Sequence, residues 1–232
     1  MVQSPSGFRN NREPPESLLV QTPDLPVPTA SMSNLSGIHV EVASNIRSKT
    51  YELFGGAIKM SLPADLIDAS DLRQVPNTQE VFLSKDTDIS YIIEVLERVE
   101  AGKEEEAVKF HFNALADDNS ATKTEIELIE EPKTAPAGSS PPAQPPCWSL
   151  IGTQHVPKFN KSTQQPDIVK IFLLLWRVDA KQSDVVLTIN VPMVTVSDGS
   201  AGGVGEEGAE RVRSIWEKAR ASFKVDDFEL FA

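Results

Sequence analysis

Residues 53–82 read LFGGAIKMSLPADLIDASDLRQVPNTQEVF, and this stretch decides how the fold begins. Apolar residues stand on both sides of the glycine pair in Leu53–Ile58, which predicts a strand-like run. Because glycine has no side chain, Gly55-Gly56 lets the backbone bend there or approach another chain closely. Pro63 then ends the extended chain that follows the glycines.

The second half of the stretch predicts a short helix and a polar loop. Asp68 and Ser70 carry short side-chain oxygens, which suit the cap of a brief helix over residues 69–73. A residue before proline avoids helical angles, so Val75-Pro76 ends that helix. Extended chain then resumes, and we expect Arg73 to Glu80 to form a polar loop between two buried anchors.

The same stretch carries a family resemblance. It resembles the opening signature of the Ran guanine-nucleotide release factors in three segments: LFGGAI, LP and IDASDLRQVP-x-TQEVF. These release factors are the Mog-type nuclear-import proteins, which have a PsbP-like fold. Residues 183–192 (SDVVLTINVP) and 223–232 (FKVDDFELFA) resemble later family stretches, so the resemblance runs from about residue 51 to the end. It implies a protein that binds the small GTPase Ran and promotes release of its guanine nucleotide, in support of nuclear protein import.

The resemblance also implies a site. In the family, the acidic loop that corresponds to residues 77–80 is implicated in contacting Ran, and this chain departs from the family by having Asn77 where aspartate is common. We predict that Glu80 is exposed at a loop end. The predicted Ran-binding residues are Asp68, Asp71, Arg73, Asn77, Gln79 and Glu80.

Taken alone, the acids Asp65, Asp68 and Asp71 have other interpretations. They are the residues expected for helix caps and a solvated face. They could in principle bind a divalent ion, although calcium needs more oxygen ligands on a shaped loop. The resemblance favours the partner-binding interpretation over both.

Composition narrows the class of protein. The chain has 232 residues, of which 40% are hydrophobic, enough for one domain with a substantial core. Its net charge of −12 disfavours binding to nucleic acids and to anionic membranes and favours a basic partner. A single cysteine, Cys147, excludes an intrachain disulfide and fits a reducing compartment. The longest apolar run, Ile168–Trp176, is too short to cross a bilayer.

The chain divides into a tail and a domain. Residues 1–48 are rich in proline, serine and asparagine, and we predict that they are a disordered tail. Residues 49–232 form the predicted Ran-binding domain of the Mog/PsbP type, with mobile loops at about 132–146 and 197–205.

Hydrophobic periodicity predicts the elements of that domain. Helices are predicted over 104–115 and 206–223, and strands over 124–129, 147–156, 168–178 and 185–191. Residues 89–99 fit either type by periodicity, and the resemblance favours a strand. Residues 179–184 are predicted to be a polar turn. The result is an α+β fold, a layered α/β/α sandwich with a central, largely antiparallel sheet, as the Mog/PsbP-like resemblance also implies.

Motifs for chemistry are missing or out of context. Gly203, Gly205 and Gly208 match GxGxxG, but too little chain follows for a dinucleotide-binding unit. The spacing of His111 predicts a core or boundary position on its helix. We expect no enzyme activity, no cofactor and no metal. The expected protein is a monomer in nucleus and cytoplasm, with Ran and a Ran-binding co-factor protein as partners and with neither nucleic acid nor membrane.

Two other functions remain open at this point. One is a PsbP-like accessory or scaffold module without a GTPase partner; the acids Glu13, Glu16 and Asp24 disfavour the transit peptide that such a module would need. The other is a small-molecule enzyme, for which a deep apolar pocket with convergent polar groups would be required.

Overall fold

The computed structural model describes residues 46–132, 144–157, 165–197 and 200–231. Its two α-helices are α1 (Glu104–Asp118) and α2 (Gly205–Ser222). Its strands are β1 (Ser48–Leu53), β2 (Ile58–Pro63), β3 (Leu66–Asp68), β4 (Gln79–Ser84), β5 (Ser90–Glu97), β6 (Lys123–Glu130), β7 (Cys147–Val156), β8 (Asp167–Val178), β9 (Ser183–Ser197), β10 (Ser200–Gly202) and β11 (Lys224–Val225). Short 3-10 turns lie at Phe54–Gly56, Ala69–Asp71, Asp179–Lys181 and Phe228–Phe231.

Antiparallel pairing holds the strands in two sheets. The large sheet has the order β3-β4-β5-β9-β8-β7-β6, with β10 added to β9, and the small sheet has the order β1-β2-β11. β8 lies inside the large sheet, and nearly all of its side chains from Val169 onward are buried. An interior strand with apolar side chains on both faces needs cover on both faces.

The two faces of the large sheet are covered by different elements. On one face, α2 and the small sheet pack against Phe172, Leu174 and Trp176 of β8. On the other face, α1 packs against Ile171, Leu173 and Leu175 of the same strand. The predicted α+β sandwich with a largely antiparallel central sheet is confirmed.

α2 forms because its apolar stripe and its charges agree. The predicted stripe residues Val212, Ile215, Trp216, Ala219 and Phe223 are all buried. Acids lie in the first turn and Arg220 in the last, as the helix dipole favours. The Phe223 ring stacks on Trp176 of β8 with 4.0 Å between the ring centroids, which fixes the end of the helix on the sheet.

Several local predictions are corrected. Leu53–Ile58 is not one strand, because the Phe54–Gly56 turn divides it and makes β1 and β2 a hairpin. The helix expected over 69–73 is a single 3-10 turn, Ala69–Asp71. The segment 197–205 contains β10, which pairs with Thr195–Ser197 of β9.

Two further outcomes involve strands. Residues 89–99, for which periodicity fits either type and the resemblance favours a strand, contain β5, which pairs with β4 as a hairpin, so the strand is confirmed. A bulge between Ile126 and Leu128 interrupts the predicted alternation of β6, and Ile126 is 39% exposed. Such irregularity is common on edge strands such as β6.

The polar turn predicted over 179–184 is too long. β9 already begins at Ser183, and Asp184 is fully buried. His111 is buried on the inner face of α1, as predicted, and its Nε2 lies 3.0 Å from Oδ2 of Asp184.

The predicted tail lies outside the described residues, apart from its last three positions. Of these, Ile46 packs against the core, the Arg47 carbonyl accepts a hydrogen bond from the Ala64 amide, and Ser48 begins β1. Most of the predicted loop 132–146 also lies outside the described residues. None of the helices in the described part of the chain is long and apolar enough to cross a membrane.

Candidate partner-binding groove

A groove of about 390 Å³ lies where β4 begins. Its walls come from the Phe54–Gly56 turn, the end of β3, the loop before β4, and the C-terminal turn. The lining residues are Phe54, Asp68, Ser70, Val75, Pro76, Asn77, Gln79, Glu80, Val81 and Leu230.

One wall is shaped by a side-chain cap and a proline. Oδ1 of Asp68 accepts a hydrogen bond from the Ser70 amide at 2.8 Å, which starts the 3-10 turn as the sequence predicts. The Pro76 carbonyl accepts from the Gln79 amide at 2.9 Å and returns the chain into β4. These local bonds place Asn77 at the groove on an exposed loop.

Glu80 is placed differently from its prediction. It lies inside β4 rather than at a loop end, and it is only partly exposed. Its Oε1 accepts a hydrogen bond from the Phe54 amide at 2.7 Å. A carboxylate that accepts from a backbone amide makes one of the stronger hydrogen bonds in proteins. Glu80 is therefore a groove residue with an internal partner, and reversing its charge would break this bond as well.

Gln79 connects the groove to the half-buried carboxyl group of Glu94. Its Nε2 donates to Oε1 of Glu94 on β5 at 2.6 Å. Burial raises the pKa of Glu94, while the bond from Gln79 and the nearby His111 act in the opposite direction. Oε1 of Gln79 is buried without a hydrogen-bond partner among the described residues.

The C-terminal segment closes another side of the groove. The Ala57 carbonyl accepts from the amides of Asp226 at 2.8 Å and Asp227 at 3.2 Å. Lys59 reinforces the attachment with its Nζ at 3.0 Å from Oδ2 of Asp226. The chain then turns over Phe228–Phe231 and brings Leu230 to the groove.

Four of the six predicted site residues line the groove: Asp68, Asn77, Gln79 and Glu80. Asp71 and Arg73 are exposed on the neighbouring turn and do not line it.

Sequence reasoning missed the apolar part of the groove, namely Phe54, Val75, Pro76, Val81 and Leu230. A signal for it was present, because the first four lie in the 53–82 stretch and Leu230 lies in 223–232, which both carry the resemblance. Two large apolar side chains stand exposed in the same segments, Leu72 at 67% and Phe228 at 40%.

This arrangement suits recognition of a protein surface. Carboxylate and carbonyl oxygens beside apolar walls match a partner that offers cationic and apolar groups together. Within the described ranges, no group of three or more His, Cys, Asp or Glu side chains is placed to hold a metal ion.

An α+β sandwich with an acidic, partly apolar groove defines a class of partner-binding proteins. The model of the family described as Ran-interacting Mog1 protein matches residues 51–192, more than half of the chain. The chain belongs to this family, and the resemblance noted in the sequence is confirmed.

Individual relatives agree with the family. The chain is 38% identical over 143 residues to the Ran guanine nucleotide release factor of Bos taurus, covering 60% of this chain and 74% of the relative. It is 30% identical over 202 residues to the nuclear import protein MOG1 of Saccharomyces cerevisiae, and the match covers 81% of this chain and 87% of that relative.

Solved structures support the fold. The crystal structure of the Saccharomyces cerevisiae Ran-binding protein Mog1p superposes with a TM-score of 0.62 at 28% identity, covering 81% of this chain and 100% of that one. The solution structure of cyanobacterial PsbP from Synechocystis gives a TM-score of 0.50 at 12% identity, covering 84% of this chain and 98% of that one. At this identity the similarity supports the fold and nothing more.

Proposed function

We propose that this chain binds the small GTPase Ran and promotes release of its guanine nucleotide, in support of nuclear protein import. The observation that carries the proposal is the groove, because residues from the two ends of the family resemblance, 53–82 and 223–232, meet there in a chain of the Ran-interacting Mog1 family. Relatives named as Ran guanine nucleotide release factors and nuclear import proteins support it.

Charge supports a basic partner surface. Asp68 and Glu80 lie in the groove, Asp71 is exposed on the neighbouring turn, and Asp65 is exposed just before β3, in a chain of net charge −12. Complementary charge speeds encounter and fixes orientation. We assign Asp68, Asn77, Gln79 and Glu80 to the interior of the binding surface. The last two predicted residues, Asp71 and Arg73, we place at its outer edge.

The proposed mechanism requires no covalent step. A protein that binds nucleotide-free Ran more tightly than nucleotide-loaded Ran must weaken the binding of nucleotide by the same factor, since linked equilibria are reciprocal. In this scheme the chain is a non-catalytic release factor, and its acids compete for basic groups of Ran. Exposed apolar side chains such as Leu72 add contact area at the edge of the groove.

The central experiment measures the release of a fluorescent guanine nucleotide from Ran with and without this protein. We expect faster release with rising protein concentration; an unchanged rate at saturating protein would contradict the proposal. Separate titrations of Ran–GDP and Ran–GTP would then identify the preferred nucleotide state.

A matched pair of variants tests the groove itself. Asp68→Asn removes one charge but keeps an oxygen that can cap Ser70, so the turn is retained. It should weaken Ran binding by about 1 kcal/mol at low salt. Asp86→Asn makes the same charge change on the exposed β4–β5 turn, away from the groove, and should leave binding unchanged. Equal effects of the two variants would move the interface elsewhere.

The remaining features belong to the same proposal. Residues 49–232 act as the Ran-binding domain, as a monomer in nucleus and cytoplasm, and a Ran-binding co-factor protein joins the complex. The tail up to residue 45 is dispensable for binding. Removing residues 1–45 keeps the contacts of Ile46, Arg47 and Ser48, so we expect unchanged Ran affinity and melting temperature. A marked loss of either would assign the tail a role in packing or binding.

A further inference from the structure

We propose that the C-terminal turn, Phe228–Phe231, is an apolar contact of the partner surface, in which the exposed ring of Phe228 packs against an apolar patch of Ran. This contact lies beside the acidic part of the groove and adds an anchor of a different chemical kind. It rests on the proposed function, because Ran is the partner assigned there.

The backbone of the C-terminal segment is fixed on both sides of the point where the turn begins. Val225 is buried in the small sheet, and its amide donates to Oε1 of Gln144 at 3.0 Å. The Ala57 carbonyl accepts the next two amides at 2.8 and 3.2 Å. Oδ1 of Asp227 then accepts the Glu229 amide at 2.9 Å, which caps the turn. A turn held in this way loses little conformational freedom when a partner packs on it.

The turn divides its apolar side chains between the core and the surface. Leu230 and Phe231 pack against the core, and Leu230 also lines the groove together with Phe54. Phe228 is 40% exposed. Residues three apart lie on the same side of a 3-10 turn, and the rings of Phe228 and Phe231 have their centroids 6.2 Å apart. Phe231 therefore supports an aromatic ring that is presented to solvent beside the groove.

The position of Phe228 distinguishes it from an ordinary exposed apolar residue. Single exposed rings are common on protein surfaces. Phe228, however, stands two residues before Leu230 on a turn that forms one side of an acidic groove. Protein interfaces combine an apolar centre with a polar rim, and rigidly held aromatic side chains supply much of their binding energy.

Phe110 provides a matched control within the same chain. It is also a phenylalanine, and it is 54% exposed. It lies on α1, which covers one face of the large sheet, whereas Leu230 and Phe231 pack with the core on the opposite face. Truncation of Phe110 removes at least as much exposed apolar surface, but far from the groove.

The competing explanation is that the Phe228 ring only covers the end of the core. In that case its truncation lowers the melting temperature and leaves the affinity for Ran unchanged. If the ring contacts Ran, the affinity falls, and the loss does not depend on salt, because an apolar contact is not screened. The loss caused by Asp68→Asn should, in contrast, shrink as the ionic strength rises.

The experiment measures Ran affinity at low and high ionic strength, with melting temperatures, for wild type, Phe228→Ala, Phe228→Leu and Phe110→Ala. We expect Phe228→Ala to weaken Ran binding about tenfold at both ionic strengths. Phe228→Leu keeps an apolar side chain and should recover part of this loss. Phe110→Ala should bind Ran as wild type does.

Amide hydrogen exchange of the wild-type protein, with and without Ran, gives a second readout that needs no substitution. We expect the Glu229 and Leu230 amides to exchange more slowly in the complex, and the amides of α1 around Phe110 to be unchanged. Should Phe228→Ala fail to fold, this comparison decides the question: protection of the turn supports the contact, and unchanged exchange there overturns it.

Three results would overturn the proposal while the proposed function stands. They are full affinity of Phe228→Ala, equal losses for Phe228→Ala and Phe110→Ala, and a loss that disappears at high ionic strength. A different result identifies failure of the function itself: if wild type neither binds Ran nor speeds nucleotide release, the function falls and the apolar contact falls with it.

Discussion

Nε of Arg177 donates to Oδ1 of Asp184 at 3.0 Å, and the two side chains are only 1% and 0% exposed. The residues face each other across the β8–β9 hairpin. Oδ2 of Asp184 also accepts the Val99 amide at 3.0 Å and lies 3.0 Å from Nε2 of His111. Nη1 of Arg177 contacts Oε2 of Glu104 at 2.6 Å. This buried cluster attaches the start of α1 to the large sheet.

Asp184→Ala should lower the free energy of unfolding by about 3–5 kcal/mol, because it removes the fully buried carboxylate that Arg177, His111 and the Val99 amide share and leaves the Arg177 charge only the more exposed Glu104. Urea denaturation measures the effect. The matched control is Asp179→Ala, which breaks the more exposed pair with Arg98 and should cost less than about 1 kcal/mol. Equal costs would mean that burial does not set the strength of these pairs.

Acid should also destabilise the protein through Asp184. Burial alone would raise the pKa of this carboxyl, but the hydrogen bonds from His111 and the Val99 amide and the charge of Arg177 outweigh it, so the pKa is lowered. A lowered pKa gives stability that is present above the unfolded-state value of about 3.9 and is lost as pH falls through the folded-state value. Melting temperatures from pH 7 to pH 2 should fall less steeply for Asp184→Asn than for wild type.

Glu94→Gln should stabilise the protein at neutral pH. Burial raises the pKa of Glu94, so its ionisation opposes folding. Its contribution is favourable below the unfolded-state pKa of about 4.3 and is lost as pH rises through the higher folded-state value. Glutamine can keep a hydrogen bond with Gln79. The melting temperature of the variant should exceed that of wild type at pH 7–8, with the difference shrinking near pH 4.

Gly152→Ala should destabilise the protein by about 1–3 kcal/mol through overpacking. A Cβ atom there would lie 2.7 Å from the Glu125 carbonyl oxygen and 2.8 Å from the Phe112 ring, between β6 and α1. Gly102→Ala is the control, because nothing lies within 4 Å of its Cβ position. Thermal unfolding of both variants compares them; a tolerated Gly152→Ala would show that α1 can shift on the sheet.

Asn77→Asp tests the departure from the family and rests on the proposed function. Asn77 is exposed at the groove, so a new charge there should strengthen Ran binding by about 0.2–1 kcal/mol. The gain should shrink at high salt, because screening weakens exposed pairs. Affinities of wild type and variant at low and high ionic strength decide the point. A weaker complex, or a gain indifferent to salt, would assign Asn77 a role through its amide donor.

The sequence by itself determined the layered fold, because most of the main elements carry their own periodic signal and the family resemblance favours a strand over 89–99, where periodicity fits either type. β8 is apolar at consecutive positions and therefore had to lie inside a sheet covered on both faces. The α2 stripe, ending at Trp216, Ala219 and Phe223, repeats at helical spacing and is buried as predicted. Each of these signals is contained in the residues of a single element. Folding then packs the apolar faces of the elements against one another.

Tertiary structure alone decided the groove and the direction of Glu80. The groove brings together Phe54, Asp68 and Leu230, because the two sheets and the C-terminal segment pack against one another. These residues are far apart in sequence, and no local sequence pattern predicts that they are close in space. A carboxylate before an apolar strand is usually exposed, yet Glu80 faces the Phe54 amide. Asp184 was assigned to a polar turn for the same reason: a charge is expected in water until its partner, here Arg177, is found beside it.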